Sequence, residues 1–346
     1  MSRIALDGIV LGLQPVGGIT TYFWELASRL ARDEGSEVIL GLPRTLVTML
    51  APQFESLPLA KRRDARPVPL ARYLNAPSWA HIVHTSYYRP CAHPHVQSIV
   101  TVYDFVYERY RAGLAAKVHG WQKRLACRRA AVIACISAHT RNDLLTFYPE
   151  IDPDRVVVTP LAVDHNRFYA TECSHAGFGN TVVFIGQRAG YKRFDLAVAA
   201  VAQTDCSLAI IGPELDDAET EMLTAAMPGR WRMLGRVADD ELRSIYGGAY
   251  ALIYPSDYEG FGLPVLEAQA CGCPVVTSLR SSLPEVGGAA SVYAREQTAA
   301  AYRDALDHLH APGRRAEVVT KGLANAAKFQ WERTYQLTRQ LYDRVG

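Results

Sequence analysis

Two carboxylates, Glu259 and Glu267, stand eight residues apart around a glycine-bearing loop in Ser256-Asp257-Tyr258-Glu259-Gly260-Phe261-Gly262-Leu263-Pro264-Val265-Leu266-Glu267-Ala268. The apolar run Ala249 to Tyr254 before it predicts a strand, and Ala268 to Cys271 after it continue a helix. Pro264 fits the first helical position, where its missing N–H costs nothing. Backbone amides from Phe261 through Gly262 and Leu263 to Val265 then lie unpaired at the positive end of a helix dipole, a place for phosphate or another anion. Glu259 in the loop and Glu267 in the first helical turn flank one ligand. Amides for phosphate and carboxylates for hydroxyls suit a sugar nucleotide. Glu267 alone would also pass for a surface residue complementing the dipole.

A second constellation is Phe184-Ile185-Gly186-Gln187-Arg188-Ala189-Gly190-Tyr191-Lys192-Arg193. A strand ends in a glycine-containing loop that delivers Arg188 and Lys192 ahead of a helix over Phe194 to Ala202. Ligands in such sheets bind outside the carboxyl ends of strands. Arg forks two hydrogen bonds to phosphate and Lys adds a compact charge. Gly17-Gly18-Ile19 follows the first strand, and such glycines let backbone approach a ligand closely, though a tight turn asks for the same residues. Gly235-Arg236-Val237 leads into Asp239-Asp240-Glu241-Leu242, read as a helix with Asp239 as its cap. Asp152-Pro153-Asp154 reads as a turn between Tyr148-Pro149 and the strand from Arg155 to Thr159. No other cluster suggests a metal. A Gly-x-Gly-x-x-Gly after the first strand is missing, which argues against a nicotinamide dehydrogenase, and the absent Gly-x-Ser-x-Gly elbow argues against a hydrolase.

These loops need elements to hold them. Strand-length apolar runs alternate with longer helical patterns: Ile4 to Leu6, Val38 to Leu42, Ile82 to His84, Ile99 to Val102, Val132 to Cys135 and Val156 to Thr159 form one set. Val182 to Ile185, Leu208 to Ile211, Met233-Leu234, Leu252 to Tyr254 and Val275 to Thr277 form another. Such alternation predicts an α/β chain of two Rossmann-like domains, each a parallel sheet covered by helices, with a cleft between them. The irregular stretch Asp164 to Asn180 marks the boundary. The expected domains are residues 1–168 and 169–330, followed by a helix over 331–346.

Residues 1–170 carry 20 Lys and Arg against 14 Asp and Glu, whereas residues 171–346 carry 17 against 21. Lys61-Arg62-Arg63, Arg66, Arg72, Lys117, Lys123, Arg124, Arg128 and Arg129 supply the basic half. They form either a solvated face or a surface for anionic lipid or a pyrophosphate-bearing acceptor. Nucleic acid is not expected, since the whole chain is near neutral at +2. Seven scattered cysteines without a Cys-x-x-Cys pair, and no signal-like or membrane-length apolar run, point to a cytoplasmic enzyme with reduced thiols.

The Glu259–Glu267 segment resembles the Glu-x7-Glu motif of retaining glycosyltransferases with the GT-B fold, specifically the family 4 (group 1) class. The likeness runs on through Pro274-Val275-Val276-Thr277 and Ser281-Ser282-Leu283-Pro284-Glu285-Val286, and is densest from about Val182 to Ala290. It implies an acceptor-binding first domain, a donor-binding second domain facing it across a cleft, and a last helix crossing back to the first domain. It implies Arg188 and Lys192 on the leaving diphosphate, Glu259 on sugar hydroxyls, Glu267 on the ribose, and Arg236 and Val237 at the nucleobase edge. Gly17 and Gly18 would lie against donor phosphate and acceptor. Tyr103, in Thr101-Val102-Tyr103-Asp104, stands where the family commonly has a His pointing at the donor sugar; a phenol donates a hydrogen bond but carries no proton near neutral pH. His84 either faces the acceptor or is a buried structural residue.

Gly190-Tyr191-Lys192-Arg193-Phe194-Asp195-Leu196 is similar to members that build bacterial O-antigen and capsule chains. The implied reaction is metal-independent, cofactor-free hexosyl transfer from a GDP sugar such as GDP-mannose, or else a UDP-hexose. The acceptor would be a lipid-linked oligosaccharide at the inner face of the cytoplasmic membrane, with peripheral attachment through the N-terminal domain. A sugar-nucleotide-binding partner without turnover is the alternative from another class. A GT-B epimerase or phosphorylase is a third.

Overall fold

A computed structural model describes residues 2–14, 17–33, 36–43, 60–64, 76, 80–171 and 177–346. Arg66, Arg72 and part of the expected boundary segment lie outside the described residues. The chain forms two compact units, Met1–Leu161 with Trp331–Gly346, and Ala162–Gln330.

In the first unit the strands are β1 (Ser2–Asp7), β2 (Ser36–Pro43), β3 (Ala60–Asp64), β4 (Ile82–Thr85), β5 (Gln97–Val102), β6 (Val132–Cys135) and β7 (Val156–Val158). Among the described residues they form one parallel sheet in the order β3-β2-β1-β4-β5-β6-β7. β4 and β6 are buried along their whole length, because helices cover both faces of such a sheet. Ser137 caps the Ala138–Phe147 helix by accepting from the Thr140 N–H at 3.0 Å. The Trp331–Val345 helix packs on this unit. Its Thr334 hydroxyl donates to the Pro160 carbonyl at 2.7 Å, and Tyr335 and Arg339 both reach the Asp33 carboxylate at 2.9 Å.

The second unit carries β8 (Thr181–Ile185), β9 (Ser207–Ile211), β10 (Trp231–Gly235), β11 (Ala251–Tyr254), β12 (Val275–Ser278) and β13 (Val292–Ala294), all parallel, in the order β10-β9-β8-β11-β12-β13. The order reverses between β8 and β11, which lie side by side with Ala251 opposite Val182. That reversal is where doubly wound sheets open a crevice for ligands. The apolar core lies between this sheet and its helices, around Phe184, Phe194, Val198, Ile210, Ile253 and Tyr302.

The unit boundary falls at 161/162, seven residues before the expected 168/169. The reason is local. The Val163 N–H donates to Phe329, Phe168 is buried, and Arg167 pairs with Asp239 at 3.0 Å, all within the second unit.

Candidate functional site

The loop after β8 and the loop after β11 issue from the two strands at the reversal point, so the topology alone brings the two sequence constellations together. They are tied through the backbone, where the Asp257 N–H donates to the Tyr191 carbonyl at 2.8 Å. Gly190–Lys192 forms a single 3-10 turn, and Arg193 after it is left-handed (φ 51°, ψ 48°), a conformation that costs a non-glycine residue roughly 1 kcal/mol. Ion pairs from Arg193 to Asp195 (3.3 Å) and Asp257 (3.5 Å) hold it there.

This turn aims Lys192 at Glu259, with Nζ 2.5 Å from Oε1 and 3.3 Å from the Tyr254 hydroxyl. Both partners are largely withdrawn from water, at 15% and 10% side-chain exposure, so their attraction is less screened than in a surface pair. Burial, reinforced by the neighbouring Glu259, pushes the Tyr254 phenol well above its ordinary value, and it stays neutral. Glu259 is fixed from behind. Its N–H donates to the Ser281 hydroxyl at 2.8 Å, and the Ser282 hydroxyl donates to the carbonyls of Glu259 (2.9 Å) and Phe261 (2.8 Å). Gln297 donates to the Pro255 carbonyl and the Asp257 carboxylate, and is itself held by the Tyr302 hydroxyl at 2.6 Å. Tyr254, Ser281, Ser282, Gln297 and Tyr302 were not singled out from sequence as site-shaping residues.

The helix after the glycine loop spans Leu263–Ala270, with Gly262 as its cap at φ 106°. A Cβ at Gly262 would sit 3.0 Å from Leu283, so both conformation and space favour glycine. Two details differ from the expected layout. Pro264 is the second helical residue, and Glu267 the fifth, in the second turn. Phe261 is buried against Phe329, with ring centroids 6.0 Å apart. Glu267 is partly buried, and burial above all, with Asp239 adding repulsion, raises its carboxyl to about 7.

Arg188 has other company. Its Nε donates to Glu219 at 2.8 Å, and its two terminal nitrogens donate to the carbonyls of Pro213 (2.8 Å) and Glu214 (2.5 Å). Glu219 also closes the capping box of the Asp217–Ala226 helix. Arg236 is exposed and Val237 partly buried, just after β10. The helix that follows takes Ala238 as its cap, correcting Asp239, whose side chain is instead engaged with Arg167.

In the first unit, Gly17 caps the Gly18–Leu30 helix at φ 147°, and a Cβ there would fall 2.2 Å from the Gln14 side chain. Tyr103 is buried between the rings of Tyr22 and Tyr88, and its hydroxyl meets no hydrogen-bond partner among the described residues. His84 is structural: its ring bridges Tyr342 and Thr101, at 2.7 Å each, and burial lowers it to about 3, so it is neutral. Asp152-Pro153-Asp154 is the expected turn, closed by the Asp154 N–H on Asp152. Among the described residues no group of three or more His, Cys, Asp or Glu side chains is placed to hold a metal ion. Lys123, counted above with the basic surface, is fully buried against Glu108 at 2.8 Å.

Two family models match the chain: glycosyltransferase family 4 over residues 16–167, and glycosyl transferases group 1 over residues 175–318. The O-antigen chain mannosyltransferase B of Escherichia coli is 40% identical over 129 residues, a match spanning 37% of this chain and 34% of that protein. The D-inositol 3-phosphate glycosyltransferase of Acidothermus cellulolyticus is 27% identical over 94% of this chain and 85% of its own length. Among solved structures, the Anabaena protein Alr3699/HepE, in complex with UDP and glucose, superposes with a TM-score of 0.78. That likeness covers 99% of this chain and 100% of that one at 14% identity, and it bears on the GT-B fold alone.

Proposed function

Since the chain belongs to the family 4 (group 1) glycosyltransferases, which transfer a sugar from a nucleotide sugar, we propose a retaining, metal-independent mannosyltransferase. In this reading the donor is GDP-mannose or a related GDP-deoxyhexose. The acceptor is a hydroxyl on a lipid-linked glycan of a bacterial surface polysaccharide. The observation that carries it is the Lys192–Glu259 pair at the strand-order reversal, beside the Gly262 helix terminus. A cation for phosphate, a carboxylate for hydroxyls and backbone amides then converge on one ligand. The likeness to the O-antigen mannosyltransferase supports the choice of sugar.

Breaking the anomeric bond leaves negative charge on the departing diphosphate. Lys192 and the amides at Gly262 and Leu263 stabilise that charge by fixed electrostatics. Arg188 joins them by exchanging its Pro213 and Glu214 carbonyls for phosphate oxygens. Glu259 orients the sugar hydroxyls, and Glu267 the ribose. Arg236 and Val237 meet the base edge, and Phe261 packs beneath the loop. Gly17, Gly18 and Tyr103 belong to the acceptor-binding function of the first unit.

The experiment incubates the protein with labelled GDP-mannose, GDP-fucose or UDP-glucose, plus a bacterial lipid extract and EDTA. Transfer of label from a GDP sugar into lipid is the expected result. Transfer from UDP-glucose alone would refute the donor choice. Tight nucleotide binding without any transfer would favour the non-catalytic partner instead.

A further inference from the structure

Lys192 and Glu259 have a third companion that the transfer chemistry above leaves without a role. Tyr254 ends β11 and is only 4% exposed. Its backbone is pinned: Tyr254 stands opposite Thr277 of β12, and its carbonyl accepts the Thr277 hydroxyl at 2.7 Å. The strand end therefore delivers the phenol to a fixed point. Lys192 Nζ donates to the Tyr254 hydroxyl at 3.3 Å as well as to Glu259 Oε1 at 2.5 Å. The same ammonium lies over two rings, 5.4 Å from the centre of Tyr254 and 5.5 Å from that of Tyr191.

A phenol has one proton to give and lone pairs with which to accept. Because Lys192 donates to the Tyr254 oxygen, the phenolic proton is left for another acceptor, and the Glu259 carboxylate takes it. Burial above all, with that carboxylate beside it, keeps the proton on the phenol. Glu259 thus has two side-chain donors in the free site, an ammonium and a neutral hydroxyl. They respond differently to a ligand. Phosphate oxygens compete for Lys192, whose flexible stem lets it follow them. Tyr254 is tied to the strand and stays beside Glu259.

We propose that Tyr254 is a positioning residue for the donor: it keeps one hydrogen bond on Glu259 after a diphosphate draws Lys192 away, and so turns the remaining carboxylate lone pairs to the hexose hydroxyls. Its ligand arm rests on the donor reading above. A ligand-free arm tests the contact itself, so the two can fail separately.

Tyr254→Phe removes one oxygen and keeps the ring. Urea unfolding is measured without ligand on wild type, Tyr254→Phe, Lys192→Met and the double variant, where Lys192→Met imitates loss of the ammonium to a ligand. Tyr254→Phe should lower the midpoint by at least about twice as much in the Lys192→Met background as in wild type, because the phenol then carries the bond to Glu259. An equal or smaller drop overturns the proposal. Affinities for GDP and GDP-mannose are read by competition against a fluorescent nucleotide, and this arm decides if Lys192→Met does not fold. Tyr254→Phe should weaken GDP at least roughly tenfold and GDP-mannose less, since mannose hydroxyls replace the lost donor, so the ratio between the two widens. A merely structural tyrosine would weaken both alike, and an unchanged ratio overturns the proposal as well. A wild type that binds neither ligand refutes the GDP donor, and the urea comparison then decides the role of Tyr254 alone.

Discussion

A carboxyl held near 7 at the proposed ribose position makes nucleotide-sugar binding depend on pH in a way that one substitution should erase. Glu267 is raised from 4.5 to about 7, first by burial and then by Asp239. Its ionised fraction therefore grows from about a tenth at pH 6 to about nine-tenths at pH 8. Ribose hydroxyls donate hydrogen bonds, and an ionised carboxylate only accepts them, so the ionised form is the binding form. Affinity for GDP-mannose should rise roughly tenfold between pH 6 and pH 8, with proton release on binding below pH 7. A sugar nucleotide is the right probe, because its diphosphate lacks the terminal phosphate group that would itself titrate in this range. Calorimetry in two buffers of different ionisation enthalpy reads both quantities. Glu267→Gln, isosteric and uncharged, should bind more weakly at pH 8 and show no slope. A flat wild-type profile, or a slope surviving in Glu267→Gln, would refute the assignment.

The same raised carboxyl fixes a sign for stability. The folded chain holds the proton more tightly than the unfolded one. Stability is therefore full below about pH 4.5, falls as pH rises and levels off above about 7, a change of about 3 kcal/mol. Glu267→Gln should accordingly melt higher than wild type at pH 8 while binding the donor less well.

Two further outcomes follow from named contacts. Lys192→Ala should lower kcat by at least roughly a hundredfold. It should also cost about 3 kcal/mol in urea unfolding, because Glu259 is left poorly solvated and unpaired. The double variant Lys192→Met/Glu259→Gln should regain stability and not activity. His84 is lowered from 6.5 to about 3 by burial, so it contributes stability above pH 6.5 that is lost as pH falls toward 3, about 5 kcal/mol in all. His84→Phe should remove that acid slope from the first unit's unfolding, at the cost of taking the ring partner from the Tyr342 hydroxyl and leaving the Thr101 hydroxyl with Tyr22 at 3.4 Å.

What sequence makes legible here is what depends on near neighbours. β6 matches the apolar run Val132 to Cys135 residue for residue, since a strand buried on both faces must be continuously apolar. The helix behind the glycine loop was visible as well, one residue out: Pro264, expected as its first residue, is its second, and the cap is Gly262. β3 was invisible, because Ala60–Asp64 reads Ala-Lys-Arg-Arg-Asp and has neither apolar run nor alternation. β13 has only three residues. The partners of charged side chains stay hidden wherever they are distant in sequence. Lys123 reads as surface until Glu108 is found beside it, and nothing near Arg188 in sequence points to Glu219, 31 residues on, which takes its Nε. Ser281 and Ser282 lay in a segment that already carried the family likeness. Nothing in their spacing pointed to the backbone of the Glu259 loop 21 to 23 residues earlier.

The direct pairing of Lys192 with Glu259 has a consequence for donor choice. The free site is self-neutralised, and a ligand must offer each partner a replacement as it separates them. A nucleoside diphosphate supplies phosphate oxygens for Lys192 but leaves the poorly solvated Glu259 with the Tyr254 hydroxyl in place of its counter-charge. The attached hexose supplies hydroxyl donors for that carboxylate. A hydrogen bond to a charged group contributes about 1.5–3 kcal/mol, so GDP-mannose should bind on the order of 10- to 100-fold more tightly than GDP. Glu259→Gln lifts the demand for a donor and should bring the two ligands close together, chiefly by strengthening GDP. Competition against a fluorescent nucleotide measures both ratios in one format. Equal affinities for GDP and GDP-mannose in the wild type would mean that Glu259 keeps Lys192 when the donor is bound, and its assignment to the sugar hydroxyls would then be wrong.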